Sequence, residues 1–171
     1  MPLLADAIRD LEVAVTAVPA LLAGLPAAAL RARPDPEAWS LLEILHHLAD
    51  EEREDFPLRL RLTLEDPERP WPPIDPPGWV AARAYNRQDP DAVLKIFLAA
   101  RRANLDWLRR LEDPAWENTY PHPQLGPMPA RRLLHAWCAH DVLHLRQMLQ
   151  RRWWLREQAA GAGELAYAGS W

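Results

Sequence analysis

Eighteen prolines punctuate this chain, and most of them fall between its periodic apolar segments, not inside them. Proline removes a backbone donor and clashes with the preceding helical turn, so these residues act as helix stops. The stretches they leave have helical length and period. The first runs from about Pro2 to Ala23, with Leu4, Ile8, Leu11, Val15, Val18 and Leu22 at alternating spacings of four and three. Pro19 is a point of kink or break. Residues 25–38 form a connector with room for a short helical turn. The second helix opens at Trp39-Ser40, where Ser40 is the N-cap and Glu43, three residues on, completes a capping box. It is expected to continue to about Leu64, with Pro57 bending its distal half.

Glu65 to Trp79 holds six prolines and one glycine, which predicts a long loop without helix or strand, pinned by Trp71 and Trp79. A short helical piece is expected near Val80 to Arg87. The third helix runs from about Pro90 to Leu111, with Asp89 as N-cap and Leu94, Phe97, Leu105 and Leu108 facing inward. Residues 113–129 read as a loop, and the fourth helix covers Leu133 to Gln150. The segment Arg156 to Trp171 reads as a frayed tail, with Trp171 as a docking point. No strand period, internal repeat or phosphate-binding glycine pattern stands out. The fold class is therefore all-α, an antiparallel four-helix bundle with a long Pro-rich loop between helices two and three.

Composition narrows the function. A net charge of −4 with mixed signs gives no footprint for nucleic acid. No run approaches the roughly 18–20 apolar residues of a membrane span. The early acidic residues do not read as a signal peptide. The single cysteine, Cys138, permits no internal disulfide and is compatible with the cytoplasm, where we expect the protein. Cys138 points well away from His140 and reads as a small core residue.

The fourth helix carries the chemistry. His140 and His144 are separated by about 40° at about 100° per residue, one turn apart. Leu133 and Trp137 lie beside them. The apolar arc continues through Leu134, Leu145, Cys138, Leu149 and Val142, so both imidazoles look inward. Two such imidazoles can bind one metal ion, and two core-edge histidines bonded to neighbours would give the same pattern. His47, at the edge of the apolar arc of helix two, offers a third nitrogen, whereas His46 and His135 point to the polar sides of their helices. Three neutral imidazoles leave open positions on a borderline ion, the pattern of a catalytic site.

Trp39-Ser40, then His47-Leu48-Ala49-Asp50, then His140-Asp141 and His144-Leu145-Arg146-Gln147, with Gly126-Pro127 before the fourth helix, resemble the DinB/YfiT-like superfamily. The resemblance covers about residues 3 to 152. It implies a four-helix bundle, here residues 1–155 ahead of the flexible tail 156–171 that the composition predicts, and a divalent metal held by His47, His140 and His144. Some relatives are thiol-dependent transferases or isomerases that use a low-molecular-weight thiol, and others are called metal-dependent hydrolases. The expected function is accordingly a metal-dependent hydrolase or thiol-dependent transferase acting on a small molecule, with zinc the expected ion and nickel the next. The other reading is a non-catalytic metal-binding or interaction bundle.

Glu51, one turn after His47, is a candidate general base or orienter, or else a partly exposed helix residue. Asp141 and Glu52 fall inside apolar arcs, and Arg101 is their expected counter-ion. Leu143 and an exposed Trp153-Trp154 pair predict a homodimer.

Overall fold

The computed structural model describes residues 2–161 and 163–169. Helix α1 spans Pro2–Leu22 and continues through Pro19. One short helix, α2 (Ala27–Arg31), occupies the connector. Helix α3 (Leu41–Glu54) starts at Ser40 with both halves of the capping box made: the Ser40 side chain accepts from Glu43 N, and the Glu43 side chain accepts from Ser40 N. The second helix is not continuous. It breaks at Asp55 (φ −120°, ψ −100°) and resumes as α4 (Phe56–Glu65), with Pro57 in the first turn of the new helix. Proline lacks the donor that an interior position would need, and a first turn does not.

The Pro-rich loop also holds a helix, α5 (Pro76–Ala82), contrary to expectation. Asp75 caps it by accepting from Gly78 N, and Pro76 and Pro77 occupy the first positions, where proline is welcome. A 3-10 turn, Tyr85–Arg87, leads into α6 (Pro90–Arg109). Residues 113–129 are not plain loop. They hold a two-stranded antiparallel hairpin, β1 (Thr119–His122) and β2 (Gly126–Pro129), with Pro121 opposite Pro127. Its proline-rich strands can exist because a two-stranded ribbon has only edges. Trp71 stacks on Tyr120 at 4.1 Å and donates to Thr63 Oγ1, so the expected pin is present. Helix α7 (Ala130–Ala160) is longer at both ends than expected and includes the first residues assigned to the tail. Trp171 and its docking lie outside the described residues.

Two apolar clusters define the packing. One joins Ala14, Val18 and Leu22 to Leu41, Leu45 and Leu48, to Val93 and Phe97, and to Met148. The other joins Ala7 and Leu11 to Leu60, to Leu105 and Leu108, and to Leu133, Leu134 and Trp137. The pairing of early with late segments gives the directions. Helix α1 runs antiparallel to α6 and parallel to α7, while the second helix runs antiparallel to α7 and parallel to α6. Parallel neighbours need a long return, and the segment between α4 and α6 supplies it. Among the described residues no helix is long and apolar enough to cross a membrane.

The outer face of α7 departs from expectation. Val142 is 66% exposed, Leu143 54% and Leu149 43%, so Val142 and Leu149 lie outside the buried arc. Trp153 and Trp154 are half-buried, not exposed.

Candidate metal centre

Between the two apolar clusters lies a layer of buried polar groups. Arg101, fully buried on α6, donates to both oxygens of Asp141 and to Glu52 Oε1 at 2.8 Å. It also donates to the Leu11 carbonyl on α1 at 2.9 Å. Trp137 Nε1 and Asn104 Nδ2 complete the shell of Glu52. The expected ion-pair network is therefore present. It ties α1, α3, α6 and α7 together at one level. Burial pushes the Asp141 carboxyl up, against the pull of Arg101, while the two carboxylates hold the guanidinium above its usual range despite burial.

The histidines lie at the same level on adjacent helix positions. His140 precedes Asp141 on α7. On α3, His47 and Glu51 face one way and Glu52 another, because neighbouring residues differ by about 100° around a helix. The structure brings His47, His140 and His144 together: the three Nε2 atoms form a triangle with every side 3.1 Å. These three side chains could hold one ion. Tetrahedral ligand nitrogens about 2.0–2.1 Å from zinc stand about 3.3 Å apart, close to this spacing.

The donor chemistry also fits a cation. A neutral imidazole nitrogen carries either one proton or one lone pair, so three of them converging at one point cannot all satisfy one another. Gln147 Oε1 accepts from His144 Nδ1 at 2.9 Å, which leaves the His144 Nε2 lone pair aimed at the triangle. His47 Nδ1 faces Glu51 Oε1 at 3.6 Å, and both atoms are buried without a hydrogen-bond partner among the described residues. Burial lowers all three imidazoles, reinforced by a neighbouring histidine for His47 (to about 3) and His140 (to about 2), so each is neutral at pH 7. Neutral imidazole is the ligand form.

Glu51 is buried, which removes its reading as a partly exposed residue. Burial, then the neighbouring Asp55 carboxylate, push its carboxyl up to about 9. Aromatic rings wall the cluster. Trp39 lies 5.0 Å from His47 and stacks in parallel on His144, and Phe56 lies 4.9 Å from His140. Trp39 and Gln147 belong to the motifs named above, but the motifs do not show their contacts with the histidines; for Gln147 the spacing of three from His144 signals one.

The outward histidines differ from each other. His135 is exposed, as expected. His46 is not on a bare polar side: Tyr85 stacks on it at 3.9 Å, and its Nδ1 lies 3.6 Å from Asp50 Oδ2. The connector after α5 covers this face through Arg83 and Tyr85, which both donate to Asp50 at 2.6 Å. Cys138 packs against the core cluster and makes a long contact to the Ala7 carbonyl, and burial pushes its thiol up to about 12, which disfavours the thiolate.

The profile of the DinB superfamily matches residues 10–148. A protein of Oceanobacillus iheyensis named putative metal-dependent hydrolase is 25% identical over 119 residues, 68% of each chain. YfiT of Bacillus subtilis, which carries the same name, is 22% identical over 120 residues, 68% of this chain and 67% of its own. The solved structure of YfiT superposes with a TM-score of 0.76 at 19% identity, covering 86% of this chain and 85% of that one. A mutant of the mycothiol-dependent maleylpyruvate isomerase superposes with a TM-score of 0.67 at 16% identity, covering 85% of this chain and 60% of that one. Both structures share the fold.

Proposed function

The chain belongs to the DinB superfamily, and from that premise we propose that it is a divalent-metal enzyme acting on a small molecule, as a hydrolase or a thiol-dependent transferase, with His47, His140 and His144 as the metal ligands. The observation that carries the reading is the 3.1 Å triangle of Nε2 atoms, which nothing else in the chain completes among the described residues. When bound, a divalent ion supplies Lewis acidity: it acidifies a water or thiol nucleophile and polarises an electrophile. Zinc is the proposed ion and nickel the alternative, since imidazole suits both.

The chain's own residues do the rest. Gln147 fixes the His144 tautomer through Nδ1. Glu51 sits where it can orient His47 through Nδ1. Trp39 and Phe56 keep water from the edges of the rings. A cytoplasmic location and a homodimer through the exposed Val142 and Leu143 belong to the same proposal.

The experiment is a turnover panel of ester and amide substrates, and of thiols paired with electrophiles, on zinc-loaded, nickel-loaded and metal-free protein. Metal-dependent turnover in one class, lost in His144→Ala, supports the reading. No turnover in any class with metal bound stoichiometrically favours the non-catalytic bundle.

A further inference from the structure

The stripe of α7 that carries the histidines does not end with them. His140, His144, Gln147 and Arg151 stand at intervals of four, three and four, so all four lie within about 60° of one helix meridian. Leu133 and Trp137 hold the same stripe about two turns and one turn earlier, respectively, and are buried in the core. The stripe therefore turns from apolar to polar at His140 and carries a cation at Arg151, before Leu155 returns it to the core.

Arg151 is half-buried. Its Nε donates to the Trp39 carbonyl at 2.7 Å, which fixes the guanidinium plane against the wall of the centre. Among the described residues it has no salt bridge. Asp35 acts on it only at longer range, and burial lowers its pKa. A cation held this way has no carboxylate in contact with it. The side chain lines a recess of about 310 Å³ together with Glu37, Ala38, Trp39 and Gln147. Two of these lining residues, Trp39 and Gln147, also touch His144. Through these two residues the recess borders His144. Glu37, its other charged group, is exposed at the rim and lies in the field of Arg33.

We propose that Arg151 is an anion-binding subsite for the substrate, and that the substrate is a small molecule with a carboxylate remote from the end that reaches the three histidines. This proposal rests on the metal-centre reading. The seven residues from His144 to Arg151 rise about 10 Å along the helix, which sets the span. One guanidinium without a second cation in the recess matches a single negative charge better than a dianionic phosphate.

The test uses the full chain with cobalt(II), whose absorption reports ligand exchange without any turnover. The probes are 6-mercaptohexanoate and 6-mercaptohexan-1-ol, which share a thiol and a length and differ in the terminal charge. The carboxylate probe is expected to bind about tenfold more tightly to the unmodified protein, the scale of one charge-assisted pair in a partly wet site. Arg151→Met should abolish that preference while retaining one cobalt per chain, and Arg151→Lys should keep part of it. Equal affinity of the two probes for the unmodified protein, or a preference that survives Arg151→Met, overturns the subsite while leaving the metal centre standing. Failure of the unmodified protein to bind cobalt takes down both. The comparison on unmodified protein needs no variant to fold.

Discussion

Two buried polar clusters sit side by side between the same helices, and their chemistry differs in one respect. Around Arg101 every charged group meets a counter-charge or hydrogen-bond partner from the chain, among them Asp141, Glu52, Asn104, Trp137 and the Leu11 carbonyl, and Arg101 Nε is the one donor of this cluster without a partner among the described residues. Around the histidines, three ring nitrogens converge at 3.1 Å and none can complete the others. Adjacent residues feed the two clusters, His140 and Asp141 on α7, Glu51 and Glu52 on α3. A cluster that closes on itself holds the bundle together. One left open is where the chain needs something it does not encode. The closed cluster also serves the open one, because it fixes α3 against α7 at the level where His47 meets His140 and His144.

The largest expected effect comes from breaking the closed cluster. Arg101→Met strands Asp141 and Glu52 in the interior without a counter-ion, and the expected loss is about 3–5 kcal/mol of stability, read from the urea midpoint. A variant that unfolds at the same urea concentration as the unmodified protein would show that the layer is not needed to hold the helices.

Opening the other cluster should act on metal first and fold second. Chelation should leave helical circular dichroism intact and lower stability by about 3–4 kcal/mol relative to protein with metal at 100–1,000 times its Kd. His144→Ala should remove that increment and tight binding with it, since two imidazoles remain. His135→Ala should leave binding unchanged. His46→Ala should also retain the metal, at a modest cost in stability from the lost stack on Tyr85. Unfolding on chelation would make the centre structural and would erase the contrast between the clusters.

A third, smaller effect concerns Asp50, which fastens the connector to α3. Burial pushes its carboxyl up, but the nearby His46 ring and hydrogen bonds from Tyr85 and Arg83 outweigh it and hold the group at about 2. Its folded pKa is below its unfolded value, so its contribution is complete above about pH 4 and is lost as pH falls towards about 2. Asp50→Asn should flatten the acid limb of stability in that window, measured by thermal melts at constant ionic strength. An unchanged slope would remove Asp50 as the fastening point.

The smallest expected effect is on assembly. Val142 and Leu143 form an exposed apolar pair on α7. Val142→Glu should shift light-scattering mass from dimer towards monomer at tens of micromolar, a rough range for weak interfaces. A monomer in the unmodified protein would contradict the dimer.

The helices were legible because burying a stripe imposes a period that a single sequence displays, as in Leu11, Val18 and Leu22. The histidine pair was legible for the same reason: a spacing of four is a face. The Arg101 layer could be anticipated because charged residues inside an apolar arc demand partners. What stayed hidden depends on context, not period. The hairpin at Thr119–Pro129 carries too many prolines to show alternation. The break at Asp55 falls inside an otherwise helical run. Helix α5 begins on the two prolines that argued against it. Val142 borders the apolar arc of α7, but the neighbouring helices cover only part of that arc and leave it exposed. Nothing in the local pattern brings Trp39 over His144, because that contact joins positions about a hundred residues apart.

The central claim is that the open cluster is completed by one divalent ion. Elemental analysis of tag-free protein, purified without chelators and dialysed against zinc, tests it most directly. The account predicts one zinc per chain in the unmodified protein and in His135→Ala, and none in His47→Ala, His140→Ala or His144→Ala with their helices intact. No stoichiometric metal in the unmodified protein, or one zinc per chain retained in all three variants, would contradict it.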